Sequence, residues 1–282
     1  MMATQSAAGH PAVSVSALRI FDLSLGQMLW SRRSVFLGLV VGAPVALAVL
    51  IRVVVLLTPV GLPQVNGTRM SGPALFGLMI WFLYIRFIVP VLGVFYGTAL
   101  IADEVDDRTI TYLFTRPIRR SAVLFGKYLA YLVCTILLVL PSVVIVYFLI
   151  VPLGGGLIGA EFPSLLADVG MLAAGLVAYG AVFALVGARV KHPLVIGLVF
   201  TFGWEPGVLL LPGYLRRLTV AYFLQALVPH TMPQDSAVAA LLRVFGSPPS
   251  IAVSLLSLGA MTALALWWAG RAVEEREYVL EQ

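Results

Sequence analysis

The chain has 282 residues, of which 61% are hydrophobic and 11% are charged, and its formal net charge is +5. Soluble globular domains usually carry about 25% charged residues. This chain has too few charged residues to cover the surface of a soluble protein, so the composition excludes a soluble globular domain. The positive charge alone would allow a nucleic-acid partner, but the placement of the charges argues against that class.

Six apolar stretches are long enough to cross a bilayer, because about 20 mostly apolar residues span its hydrocarbon core. They cover residues 34–58, 79–102, 128–152, 169–188, 194–211 and 250–270. None has the alternating pattern of outer-membrane barrel strands, so we predict helices. The predicted fold class is an all-α polytopic membrane protein with six transmembrane helices.

The basic residues divide unevenly between the two sides of the membrane. Of 18 Lys and Arg residues, twelve lie in the segments on the side of the termini and four in the loops on the other side. Cytoplasmic loops carry the excess of Lys and Arg, so both termini are predicted to be cytoplasmic, in a bacterial inner membrane. The positive net charge is then explained by the basic cytoplasmic loops of a membrane protein, and no nucleic-acid partner is expected.

The N-terminal region divides into a tail and a helix. Residues 1–17 are rich in Ala and Ser and are predicted to be disordered. Apolar residues then recur at Phe21, Leu25 and Met28, which is the spacing of one helix face. Directly before a span, such a helix would lie in the membrane interface; the alternative is a simple extension of the first span.

The region between the fifth and sixth spans, residues 212–249, is too long and too apolar for a plain loop. Its segment 215–227 is predicted to form one or two outer, re-entrant helices that dip into the bilayer edge. Residues 272–282 are charged and predicted to extend the last helix as a cytoplasmic tail. A single transmembrane domain, residues 18–271, lies between the two tails.

The sequence offers almost no catalytic chemistry. It has no G-x-S-x-G, no H-E-x-x-H and no Cys/His cluster, and its one cysteine, Cys134, lies inside the third span. Gly126-Lys127 superficially resembles a phosphate-binding loop, but Tyr128 follows where Ser or Thr is needed. We therefore predict that the chain is not an enzyme and holds no metal and no cofactor of its own.

The longest predicted cytoplasmic loop covers residues 103–127. Along this loop, acidic residues come first, a short apolar segment follows, and basic residues come last. Ile110, Leu113 and Phe114 lie at i, i+3 and i+4, which gives a short helix an apolar ridge. Arg119 and Arg120 fall in the first turn of the next helix, where the helix dipole disfavours cations. Lipid headgroups or an acidic partner surface would favour them there.

This loop resembles the signature of the ABC-2 family of transporter permeases. In that family a Glu at the end of the second helix precedes a short amphipathic helix, and a Pro with basic residues leads into Gly-Lys. The matching residues here are Glu104, Arg108-Thr109, Ile110 to Phe114, Arg116-Pro117, Arg119-Arg120 and Gly126-Lys127. Arg108 stands where Gly is common. The resemblance extends to the six-helix plan and covers the chain from about Leu18 to Arg271.

The resemblance implies an exporter that works with a separate ATP-binding cassette ATPase subunit, which binds the ATP. The loop helix would be a coupling helix that docks on this ATPase, and a second permease copy or a homologue would complete a dimer that alternates between inward- and outward-facing states. The residues expected to couple the two subunits are Glu104, Asp107, Arg108, Ile110, Leu113, Phe114, Arg116, Arg119 and Arg120.

Glu205 lies well inside the fifth predicted span, where an ionised side chain costs at least about 2.5–3.5 kcal/mol. Pro206 removes a backbone donor beside it and is predicted to break or kink the helix. Glu205 can line the transport path, pair with Arg86 of the second span, or sit at the outer boundary if the span ends early. Arg86 can instead extend outward to the headgroups. Both residues are candidates for the transport path.

Two other classes of function remain open at this point. A secondary transporter or channel could use Glu205 and Arg86 in an ion or proton pathway, and a membrane-embedded scaffold could use the cytoplasmic loop for docking alone. Lipid, drug, peptide and polysaccharide all remain possible substrates, because the spans show no recognisable ligand-binding pattern.

Overall fold

The computed structural model describes residues 20–22, 24–26, 28, 32–57, 64–65, 68–101, 120–210, 214–228 and 249–275. These residues are helical almost throughout. The exception in secondary structure is a small antiparallel ladder, in which Gln64–Val65 pairs with Thr68–Arg69. The predicted all-α class is confirmed.

The described helices follow one another with short connections. In chain order they are α1 (Arg32–Leu57), α2 (Gly72–Ile101), α3 (Arg120–Ile150), α4 (Ile158–Arg189), α5 (residues 193–210), α6 (Val220–Gln225) and α7 (Ile251–Glu275). Two 3₁₀ turns, Leu153–Gly155 and Tyr214–Leu218, lie between them. All of these helices except α5 and α6 are long and apolar enough to cross a membrane.

The helices match the predicted spans with two differences. The fifth span, predicted over residues 194–211, corresponds to α5, whose apolar part Pro193–Val208 is shorter than the five membrane-spanning candidates. The sixth crossing therefore stays a prediction. Helices α2, α3 and α4 begin at Gly72, Arg120 and Ile158, several residues before the predicted apolar stretches. Backbone hydrogen bonds continue through the turns before these stretches, whose Gly, Pro and charged residues a hydropathy pattern does not count.

The amphipathic segment before the first span is helical at residues 20–22, 24–26 and 28. Leu25 and Met28 pack against the hydrophobic core, as expected for the apolar face of such a helix. The outer surfaces of α1 and α7 expose large apolar side chains such as Leu57 and Leu256, at 80% and 75%. A bilayer would cover them.

Of the break or kink predicted at Pro206, the break is absent, because α5 continues through it. Helix α5 is π-helical over Phe200–Trp204 and α-helical again over Glu205–Leu210, and the Glu205 N–H bonds the Phe200 carbonyl. Helix α2 has the same arrangement, with a π-helical stretch over Ile80–Ile88 just before Pro90. Proline removes one backbone donor, and local π adjustments re-satisfy the neighbouring groups within a membrane helix. Pro206 therefore accompanies a distortion and not a break.

Close approach between α2 and α4 depends on two glycines spaced four apart, Gly93 and Gly97. A Cβ atom on Gly93 would lie 2.8 Å from the Cβ of Tyr179, and one on Gly97 would lie 2.9 Å from the Cβ of Phe183. Such small-residue spacing lets membrane helices pack backbone to backbone. Helix α4 also contacts α3, α6 and α7, so it lies at the centre of the bundle.

Side-chain hydrogen bonds connect the helices within this apolar interior. The Tyr84 hydroxyl of α2 lies 2.7 Å from the Ser142 Oγ of α3, which in turn donates to the Val41 carbonyl of α1 at 3.0 Å. Arg52 of α1 donates to the Leu149 carbonyl at 2.9 Å, in the last turn of α3. Polar groups in lipid must find partners inside the protein, and these contacts supply them.

Candidate functional site

Glu205 lies buried where α4, α5 and α6 meet, with 3% of its surface exposed. One carboxylate oxygen, Oε2, accepts a hydrogen bond from the Tyr179 hydroxyl of α4. The other, Oε1, accepts from the backbone N–H of Ala221 at 3.5 Å, in the first turn of α6. The carboxylate thus ties three helices together.

Arg86 of α2 completes the surroundings of this carboxylate. Its guanidinium lies 5.7 Å from the centre of the Trp81 ring and interacts electrostatically with Tyr179 and Glu205. Among the described contacts, the two charged side chains form no direct ion pair. The structure therefore brings the two predicted transport-path candidates into one neighbourhood, inside the bundle, and a nearby opposite charge offsets part of the cost of burying each.

Two further polar residues of this site were missed in the sequence. Tyr179 resembles any packing aromatic in an apolar run, since its partner lies 26 residues away on another helix. Thr201 lies one turn before Glu205, is 5% exposed, and its hydroxyl has no hydrogen-bond partner. It belongs to the π-helical stretch of α5. The signal that could have directed attention to both was Glu205 itself, a charge in an apolar run.

The other end of the bundle carries a shallow groove of about 500 Å³ between α3 and α7. The groove is lined by Ser121, Phe125, Leu266, Trp267, Gly270, Arg271, Glu274 and Glu275. Arg271 donates to Glu275 at 2.7 Å and lies over the Trp267 ring, while Arg189 at the end of α4 lies over Trp268. We name this region, with the turn of residues 190–192, the charged end. Trp beside Arg is typical of a membrane–water interface.

A comparison with known protein families shows the family to which the chain belongs. The family described as ABC-2 family transporter protein matches residues 5–269, which is nearly the whole sequence. The chain belongs to the ABC-2 family of transporter proteins. Among curated proteins, no match is found. The ABC-2 family that the cytoplasmic loop suggested is thereby confirmed as the family of the chain.

As an ABC-2 protein, the chain is an integral, multi-pass membrane permease of the ABC transporter class. Permeases of this family are membrane components with no enzymatic activity of their own, and the family implies an ABC ATPase partner in general. Within the residues that the structure describes, no group of three or more His, Cys, Asp or Glu side chains could hold a metal ion.

The predicted coupling residues of this ABC-2 chain fall almost entirely outside the described residues. Those not described are Glu104, Asp107, Arg108, Ile110, Leu113, Phe114, Arg116 and Arg119. Arg120 is the first residue of α3. The structure therefore places only the two ends of the loop, at Ile101 and Arg120, and the coupling role of its residues stays a prediction.

Proposed function

We propose that this ABC-2 protein is the membrane-spanning permease subunit of an ATP-binding cassette exporter. The observation that carries the proposal is the family match over residues 5–269. A separate ATPase subunit would drive alternating access, and a second permease copy or homologue would complete the transporter. The termini and the charged end would face the cytoplasm of a bacterium, because Lys and Arg are concentrated there.

The segment of residues 103–119 would form the contact with the ATPase. It joins the end of α2 to the start of α3, and Ser121 in the first turn of α3 lines the groove at the charged end. An apolar ridge of Ile110, Leu113 and Phe114 with charged neighbours has the composition of a docking element. Protein interfaces use a few buried apolar anchors within a polar rim.

The substrate path would pass close to Glu205 and Arg86, between α2, α4 and α5. Ionisable side chains inside a membrane protein mark transport paths far more often than lipid-facing surfaces. Arg86 lies within the π-helical stretch Ile80–Ile88, and Glu205 directly follows the stretch Phe200–Trp204. The centroids of the Phe87 and Phe202 rings, one on each stretch, lie 6.2 Å apart. Local π turns are frequent at functional sites, which supports placing the path here.

Loss of the coupling ridge tests the proposal. Replacing Leu113 and Phe114 with Ala should abolish co-purification with the ATPase, since truncating an interface hot spot costs about 2 kcal/mol or more. Two such losses would weaken binding by more than about 100-fold. Membrane insertion should be unaffected. Leu157→Ala is the matched control, because Leu157 is equally apolar, 73% exposed and at the opposite end of α4 from the charged end.

The exporter proposal would be wrong if transport persisted in vesicles that contain the permease and no ATPase. That result would indicate a secondary transporter or channel that uses Glu205 and Arg86. Retention of the ATPase by the Leu113→Ala/Phe114→Ala variant would instead contradict the proposed docking ridge.

A further inference from the structure

The groove between α3 and α7 at the charged end has two chemically different halves. Leu266 and Trp267 line the half nearer the middle of α7. Arg271, Glu274 and Glu275 line the half at the end of this helix. The volume of the groove is about 500 Å³, and ligand sites occupy roughly 300–1,000 Å³. The groove therefore suits an amphiphile, which is apolar at one end and charged at the other.

The charges follow a fixed order along α7. Trp267, Arg271 and Glu275 are spaced four residues apart, so they lie on one face of the helix, about 6 Å apart along its axis. Leu264, one turn before Trp267, is 62% exposed and continues this face into the apolar span. A ligand that matches the face carries an apolar body, then an anion, then a cation.

Arg271 has donors left for such an anion, and the groove has room for it. The Nε of Arg271 donates to Glu275 at 2.7 Å, and the guanidinium lies 5.5 Å from the centre of the Trp267 ring. A guanidinium carries several N–H donors in a fork that suits a phosphate, and the hydrogen bond to Glu275 uses one of them. A Cβ atom on Gly270 would lie 3.9 Å from the Ser121 Cβ, so the absence of a side chain there leaves space between α7 and α3.

We propose that this groove binds phosphatidylethanolamine, with the lipid phosphate on Arg271 and its ammonium on Glu274 and Glu275. The acyl chains then follow Trp267 and the exposed apolar face of α7. Trp rings lie at the level of the headgroups in a bilayer, and Arg side chains reach that level from the ends of spans. The lipid is a bound partner of the bundle and not its cargo, so this inference goes beyond the proposed function and does not rest on it.

The charges of the groove select this headgroup over the other common ones. The lining holds one cation and two anions, so an anionic lipid such as phosphatidylglycerol would add to an excess of negative charge. Phosphatidylcholine is zwitterionic, but its methylated nitrogen has no N–H donor for the carboxylates. Hydrogen bonds between charged groups are stronger than those between neutral groups, and only the ethanolamine headgroup supplies them to both kinds of side chain.

Competition between lipids tests the site. The purified full chain in detergent is mixed with equal amounts of phosphatidylethanolamine, phosphatidylcholine and phosphatidylglycerol that have the same acyl chains. Native mass spectrometry then counts each lipid bound per chain. We expect phosphatidylethanolamine to bind about fivefold more tightly than the other two, which is the effect of one ion pair at a partly exposed position. The variant Glu274→Gln/Glu275→Gln should lose this preference, and Arg271→Ala should bind all three lipids more weakly.

The matched control is Arg189→Ala. Arg189 lies over the Trp268 ring at the same end of the bundle, but outside the groove, and its loss should leave the lipid count unchanged. The substituted groove side chains are exposed, at 58% for Arg271 and 60% for Glu275, so their replacement does not remove a buried contact. Unchanged thermal unfolding of the lipid-free variants checks this.

The proposal is overturned if phosphatidylethanolamine and phosphatidylcholine bind equally, or if the preference survives in Glu274→Gln/Glu275→Gln. It is also overturned if Arg189→Ala lowers binding as much as Arg271→Ala, since the effect would then belong to the whole charged end. Residues 276–282 or a second copy in the groove would exclude the lipid, and the groove variants would then leave the lipid count unchanged, which also overturns it. This readout involves no ATPase and no transport, so its failure does not affect the exporter proposal.

Discussion

Tyrosine hydroxyls recur as the contacts that hold neighbouring helices together in the described part of the bundle. Tyr128 and Tyr131 of α3 donate to the Val177 and Leu176 carbonyls of α4, at 2.8 and 3.0 Å. Tyr84 reaches Ser142 in the same way from α2. A buried tyrosine combines a large apolar ring with one polar group that needs a partner. Single residues therefore couple helix pairs that apolar packing alone would leave free to slide.

The pair of Tyr84 and Ser142 allows a direct measurement of this effect. A double-mutant cycle of Tyr84→Phe and Ser142→Ala should give a coupling free energy of about 0.6 kcal/mol, and at most about 1.7, as for hydrogen bonds in other membrane proteins. Ser142→Ala alone should destabilise more than Tyr84→Phe, because Ser142 also donates to Val41. Unfolding in mixed micelles measures all four variants.

The non-contacting pair Tyr131→Phe and Ser142→Ala is the control for that cycle and should be additive, as distant sites are. A coupling energy for Tyr84 and Ser142 as small as that of the control would contradict the hydrogen bond seen between them.

At the scale of elements, two of the helices that form the candidate site, α2 and α5, are distorted. Helices α2 and α5 each carry a π-helical stretch that ends two residues before a proline, at Pro90 and Pro206. Helix α1, in contrast, contains Pro44 within a continuous α-helix. A proline within an apolar run therefore does not by itself predict a π-helical stretch. The packing around the proline decides whether the helix stays α-helical, as at Pro44, or becomes π-helical, as before Pro90 and Pro206.

The contact between α2 and α4 predicts a large effect of adding one methyl group. Gly97→Ala should destabilise the protein by about 1–3 kcal/mol, since overpacking a tight contact forces the helices apart. Gly259→Ala in α7 is the matched control, because nothing lies within 4 Å of the added carbon. It should be neutral or stabilising by about 0.5–1 kcal/mol. Thermal unfolding in detergent compares the two, and equal midpoints would contradict the close approach at Gly97.

At the scale of the whole molecule, α4 is long enough to reach from one side of the membrane to the other. It begins after the turn of residues 151–157 and ends at the turn of residues 190–192, which belongs to the charged end. The cations Arg189 and Arg271 lie over Trp268 and Trp267 at that end. The concentration of basic residues predicts that it faces the cytoplasm.

Two single-cysteine variants in the Cys134→Ala background test this orientation. Leu157→Cys lies at one end of α4 and Lys191→Cys at the other, both at exposed positions. In intact cells an impermeant maleimide should label Leu157→Cys, whereas Lys191→Cys should react only after lysis. The reverse pattern would overturn the predicted orientation of both termini.

Glu205 shows how far the sequence alone reaches into the candidate site. A carboxylate within an apolar run is conspicuous, and so is Arg86, since each is costly in a bilayer. Their proximity was one of three possibilities that the sequence left open. Tyr179 carried no such signal, because a tyrosine in a membrane helix is ordinary until its partner is known. The amphipathic pattern near Tyr222 indicated a short helix, but not its burial.

The sequence by itself determined that this protein is a multi-pass helical membrane protein with a family-specific loop. Run length, charge placement and motif order are properties of the chain in one dimension, and they need no knowledge of neighbours. Only the tertiary structure decided that α5 passes Pro206 without a break, that Gly93 and Gly97 meet α4, and that Glu205 ties α6 to Tyr179. Each of these depends on which surfaces meet, and in an apolar interior hydrogen bonds and close packing set that choice.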